Sequence, residues 1–276
     1  MVSTQECTFA TCDTSLSTFG YEPNNATSEA FLAIFGLLFF AHLIQGWRHR
    51  KVVVTFLMVA GHFLFTFAFF ERSFGNNPYG QGTFITWLFC QLIGSSAILL
   101  GIYLASSSML STYTDKIFGL RLAIITATLI LSELTICGLQ AAGGYLGAEA
   151  TDKGQRPWPE LGLYIAGQSL QLVLLFCFIL YMIVFSQMMT FSSEKREGWL
   201  KWKTARVELG IFVFCYSCYA FKAMYQLVLA ASGWTNSAAN TEVLFILFQT
   251  LYDCSFAFST HHIDIPTQRE LANRTK

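Results

Sequence analysis

Leu161–Met189 reads LGLYIAGQSLQLVLLFCFILYMIVFSQMM, 29 residues without a charge. At about 1.5 Å of rise per residue, a helix of that length runs to about 43 Å, against a hydrocarbon core of roughly 30 Å. Lipid offers backbone N–H and C=O groups no partner, so the stretch must be helical, and its length makes it tilt or project. The ten-residue alternation of a membrane barrel is missing. Working outward gives Ala30–Trp47, Val52–Phe70, Thr83–Ser106 and Leu120–Ala142 before it, then Val207–Ala231 and Glu242–Thr260 after it. The sequence predicts an all-α integral membrane protein with seven transmembrane helices. A tail over 1–28 precedes the helical domain over 29–262, and a second tail covers 263–276.

Composition agrees. Of 276 residues, 54% are hydrophobic and 12% charged, with a mean hydropathy of +0.47. Soluble domains carry about 25% charged residues. The 17 basic and 17 acidic residues cancel, which removes the case for a nucleic-acid partner. Aromatic residues at 16% rule out a disordered chain. The tail over 1–28 has no Lys or Arg and no apolar core, so it is not a cleavable signal, and the first span acts as the anchor. Six of the eight cysteines lie in apolar stretches, where cysteine is a packing residue. Cys7 and Cys12 share the polar tail, and either a disulfide between them or two free thiols fits.

Orientation follows from the basic residues. With the N-terminus outside, the cytoplasmic segments hold 13 Lys and Arg, the outside segments hold only Arg72, Lys153 and Arg156, and Lys222 lies within a span. That asymmetry is the positive-inside pattern, and it places the C-terminus in the cytoplasm. Asn25-Ala26-Thr27 then becomes an outside glycosylation sequon. The secretory route it implies leads to the plasma membrane, with vacuolar and other endomembranes as alternatives. Glu194–Arg206, with Trp199 and Trp202, reads as an interfacial helix beside anionic lipid.

Polar residues inside the spans carry the functional argument. A charge near the bilayer centre costs about 2.5–3.5 kcal/mol on insertion scales, so each is a candidate site residue. The candidates are Glu133, Lys222 and Asp253, with His62 and His42 behind them. Counting from the cytoplasmic ends puts Glu133, Lys222, His62 and Asp253 at heights of roughly 20, 22, 15 and 11 Å. Glu133 and Lys222 share a level. One reading is a buried ion pair that fixes helix packing. The other is a polar patch in a cavity that accepts an amphiphile, with Glu133 as its anionic contact and Lys222 as the counter-ion of the empty site. Gly94-Ser95-Ser96-Ala97, Ser106-Ser107-Ser108, Gly138 and Gly143-Gly144 permit close helix approach, with a serine-lined pathway as the alternative.

Several of these stretches together resemble the fungal lipid-translocating exporter family, the group linked to aminocholesterol resistance and sphingoid-base export. Phe19-Gly20-Tyr21-Glu22-Pro23 resembles its Tyr-Gly-Tyr-x-Pro segment, and Ala41 through Arg50 resembles the end of its first helix. Leu139-Gln140-Ala141-Ala142-Gly143-Gly144 resembles its Gln-Ala-Ala-Gly-Gly signature, the most specific match, and Gly162 through Gln171 resembles the opening of its fifth helix. The fourth-helix Asp of the family is Glu133 here. The family's second-helix Glu-x-x-Gly-Tyr-x-x-Arg reads Met58, Gly61, His62 and Phe65, so both charges are lost. Its sixth-helix Arg, Tyr, Arg, Glu and Gly read Lys222, Tyr225, Gln226, Leu229 and Gly233.

The resemblance implies a multi-pass membrane protein that binds and translocates or exports amphipathic lipid-like molecules: sphingoid bases, sterol derivatives or toxic amphiphiles. The candidate substrate site is Glu133, Lys222, Asp253 and His62, read from polarity inside the spans, with Gln140 of the signature block, and the resemblance makes membrane lipids or small amphiphiles the expected partners. No Walker motif is present, and neither a cofactor nor enzymatic activity is expected. Two rival classes stay open. A seven-helix receptor for a lipid-like ligand fits the same topology. A membrane hydrolase would need zinc held by His42, His261, His262, Asp253 and Asp264, but these residues lack metal-binding spacing, and no metal site is expected.

Overall fold

A computed structural model describes residues 24–49, 52–74, 81–111, 116–117, 119–152, 158–193 and 199–232. Outside the described residues lie Cys7 and Cys12, the seventh apolar stretch with Asp253, and the tail over 263–276. The described chain forms six long helices: α1 (Asn25–His49), α2 (Val52–Phe74), α3 (Gln81–Leu110), α4 (Leu122–Asp152), α5 (Trp158–Ser193) and α6 (Trp199–Ser232). All six are long and apolar enough to cross a membrane. The protein is an all-α, multi-pass membrane protein.

Each helix outruns the span read from hydropathy, for local reasons. α1 starts at Asn25 because Asn24 caps it: the Thr27 backbone N–H donates to Asn24 Oδ1 at 3.3 Å. Asn25 of the sequon is therefore an exposed residue in the first helical turn. Of the Glu194–Arg206 stretch read as an interfacial helix, Trp199–Arg206 forms the first two turns of α6, continuous with its span, and 194–198 lie outside the described residues. Between α3 and α4 the chain makes a two-residue antiparallel hairpin, β1 (Lys116–Ile117) and β2 (Leu120–Arg121), so the fourth helix begins at Leu122 rather than Leu120. Gly119, at φ 80°, supplies the left-handed residue of that turn.

α4 also continues past Ala142 for ten residues, because its glycine pair meets a neighbour instead of ending the helix. A Cβ on Gly143 would run into the backbone of Tyr164 on α5, and one on Gly144 would meet Leu88 of α3 at 2.9 Å. Gly61 of α2 and Gly94 of α3 make the same kind of crossing: a Cβ on Gly61 would reach the Gly94 carbonyl at 2.9 Å. Gly138, expected at a helix contact, has nothing within 4 Å among the described residues.

Consecutive helices pack on one another, and α3 is the central element, buried without a break from Ile98 to Tyr103. The outer faces stay apolar, with Phe56, Leu131, Val173 and Leu180 each more than half exposed, as in a bundle solvated by lipid. α1 and α2 join through aromatic rings, Phe35 stacking on Phe65 at 4.9 Å and on Phe69 at 5.5 Å. Tyr103 of α3, Phe178 of α5 and Tyr216 of α6 form a second aromatic cluster, with Phe178 and Tyr216 edge to face at 4.6 Å.

Candidate functional site

Four helices turn polar side chains toward one another inside this apolar bundle. On α3, Ser95 and Ser96 are consecutive, so their side chains point about 100° apart and reach different neighbours. Ser95 faces α6, where Lys222 Nζ donates to its hydroxyl oxygen at 2.7 Å. Ser96 faces α4, where its hydroxyl reaches the Glu133 carboxylate. On α5, Gln168 and Gln171 are three residues apart and share a face. Gln171 Nε2 donates to Glu133 Oε2 at 2.9 Å. Gln168 Nε2 donates to Gln226 Oε1 on α6 at 2.8 Å and to the Tyr164 hydroxyl at 3.1 Å.

These groups line a single cavity. α3 contributes Leu92, Ser95, Ser96 and Leu99, and α4 contributes Glu133 and Gln140. α5 contributes Gln168 and Gln171, and α6 contributes Tyr219, Lys222, Ala223 and Gln226. Glu133 is 1% exposed and Lys222 3%, so both charges belong to the interior. The space open to water-sized molecules is about 30 Å³, room for two or three waters at about 10–15 Å³ each.

Glu133, Lys222 and Gln140 thus meet at one hollow. The direct counter-ion pairing expected from their common height takes another form. Among the described residues, the carboxylate is bonded to Gln171 and Ser96, and the ammonium donates to Ser95. Lys222 Nζ also sits over the Phe65 ring of α2, 5.1 Å from its centroid, and over Tyr219 at 5.7 Å. Both distances are within range of a cation–π contact. Phe65 and Gln226, where the resemblance would put arginines, therefore stand beside the one lysine that the cavity holds.

His62 is not part of this cavity. It faces α1, its ring 4.8 Å from that of His42 and its Nδ1 2.6 Å from the Met58 carbonyl oxygen. Height along a helix placed it near the site, and helix rotation turned it away. His42 is buried beside it, and among the described residues no group of three His, Cys, Asp or Glu side chains could hold a metal. Asp253 lies outside the described residues. Hydropathy overlooked Gln168, Gln171 and Gln226. The first two carried a signal, a pair of amides at i, i+3 within a charge-free span.

A protein-family model described as RTA1 like protein matches residues 58–262, about three quarters of the chain. No curated protein and no solved structure matches.

Proposed function

We propose, from the premise that this chain belongs to the RTA1-like protein family, that it binds and translocates amphipathic molecules carrying a cationic head group. The observation that carries this reading is the Glu133 carboxylate, 1% exposed in a polar hollow, within a bundle whose outer faces are apolar. A buried carboxylate is a poor tenant of a membrane interior unless something visits it. A protonated amine or alkylammonium is the visitor of matching charge, displacing the waters that the hollow admits. Gln140, Gln168 and Gln226 offer amides to hydroxyl or carbonyl groups next to that cation. Leu92, Leu99 and Ala223 supply the apolar wall for the first carbons of its tail.

Seven spans with the N-terminus outside belong to the same proposal, resting on the seventh apolar stretch and on the positive-inside distribution of Lys and Arg. The plasma membrane is the proposed location. With no Walker motif in the chain, movement is proposed to be passive or driven by a gradient or a partner, and no covalent chemistry is proposed. The test is flux. Purified protein in phosphatidylcholine vesicles is expected to speed uptake of a fluorescent dodecyltrimethylammonium probe by about tenfold or more over protein-free vesicles. Saturable binding without flux would instead favour the receptor reading. Neither binding nor flux would contradict both.

A further inference from the structure

Two opposite charges share the cavity. Among the described residues that line it, Glu133 and Lys222 are the charged ones, so the lining sums to zero. They lie side by side rather than one above the other. Their contacts on α3, Ser96 and Ser95, differ by about 1.5 Å in height and about 100° in direction. Lys222 Nζ is 2.7 Å from Ser95 Oγ, and the Glu133 carboxylate meets the Ser96 hydroxyl. The line from carboxylate to ammonium therefore runs around α3, across the helix axes, from the α4 side of the hollow to the α6 side. The ammonium is also held against the rings of Phe65 and Tyr219, at 5.1 and 5.7 Å. That contact fixes it beside the hollow. A plain cation is then an incomplete ligand. It is matched by Glu133, but it brings a second positive charge to a hollow that already holds Lys222. Like charges at close range repel strongly away from bulk water. A head group that carries an anionic oxygen beside its ammonium keeps the sum at zero and offers the Lys222 ammonium an acceptor.

We infer that the preferred ligand is a single-chain amphiphile with a zwitterionic head, its ammonium on Glu133 and its anionic oxygens on Lys222, the two groups branching from one carbon. The inference rests on the cationic-amphiphile reading of the same cavity and names the head group within it. The shape follows from the placement of the charges. Because they lie across the helix axes, a head that spans them leaves its tail free to run along those axes. Leu92 and Leu99, about one turn to either side of the serines on α3, line the same hollow and supply apolar contact for the tail. An α-amino acid on a long alkyl chain has this form. A head whose two charges are strung out in line with its tail does not. Lys222 thus acts as a selectivity residue. It disfavours the simple amine by repulsion and favours the zwitterion by attraction, and specificity is the difference between those two effects.

The experiment titrates the purified full-length protein, in an uncharged maltoside detergent at neutral pH, with three matched probes. They are racemic 2-aminotetradecanoic acid, tridecylamine, which lacks only its carboxylate, and tetradecanoate, which lacks only its amine. Wild type is expected to bind the amino acid at least about tenfold more tightly than either of the others. Lys222→Met keeps the apolar stem and removes the charge, and it is expected to reverse the order, with tridecylamine the tighter ligand. Glu133→Gln leaves Lys222 alone in the hollow and is expected to favour tetradecanoate over tridecylamine. A smaller wild-type preference over tridecylamine would overturn the zwitterionic head and leave the cationic reading standing, and so would a preference that survives Lys222→Met. Should Lys222→Met fail to fold, the wild-type ratios and Glu133→Gln decide the matter without it. A smaller wild-type preference over tetradecanoate, or no binding of either amine-bearing probe, would remove the cationic reading as well.

Discussion

Glu133→Gln is expected to weaken binding of a long-chain alkylammonium by at least about 30-fold, the lower end of what losing one partner of a buried charged contact costs. Glutamine keeps the shape of the side chain and can still bond Gln171 and Ser96, so the hollow should survive with its charge removed. Thermal stability is expected to stay within about 0.5 kcal/mol of wild type, since no cavity forms and no polar group is orphaned. The same substitution should lower the tolerance of expressing cells to long-chain bases. Titration of the purified protein decides the matter: an affinity within about threefold of wild type would mean that the carboxylate does not contact the cation.

Gly143→Leu should have the largest effect on the fold. The first atom of any side chain at 143 collides with the backbone of Tyr164, and backbone cannot move aside as a flexible side-chain end can. Overpacking costs typically 1–3 kcal/mol and sometimes more, so a loss of at least about 3 kcal/mol is expected here. α5 would be pushed off α4, carrying Gln168 and Gln171 away from Glu133, so ligand binding should fail with stability. Gly138→Leu, on the same helix with nothing near it among the described residues, is the matched comparison and should melt close to wild type. Equal melting temperatures for the two variants would mean that the α4–α5 crossing is looser than the structure has it.

The contrast between these two glycines shows how far the sequence could be read. Apolar length along the chain identified the six described helices, because a bilayer imposes a minimum apolar run whatever the tertiary packing. It also ranked residues by height, which is why Glu133 and Lys222 could be matched from α4 and α6. Rotation about the helix axis was not legible. These helices are apolar nearly all round, so no stripe marks the inward face. Hence His62, on α2, turned out to face α1, while Phe65, three residues on, lies under Lys222. Nor did height show that Ser95 and Ser96, on adjacent faces of α3, would reach Lys222 and Glu133. The Gly143–Gly144 pair was read as a contact but placed beyond the end of its span, because glycine's cost to a free helix conceals its value at a crossing. The hairpin at Gly119 is too short for any periodicity to register.

The cavity's glutamines were concealed for a related reason. An amide is uncharged, so Gln168 and Gln171 do not stand out within a span as an intramembrane charge does. Only their i, i+3 spacing marks the two as sharing a face of α5.

The central claim is that an amphiphile's cationic head sits between α3, α4, α5 and α6 against Glu133. The most direct measurement is photo-crosslinking of the purified protein with a long-chain alkylammonium that bears its photoreactive group beside the nitrogen, followed by peptide mapping. The account predicts labelling at Leu99, Gln140, Tyr219 and Ala223, competed by unlabelled alkylammonium. Labelling confined to lipid-facing positions such as Phe56, Val173 and Leu180, and insensitive to competitor, would contradict it.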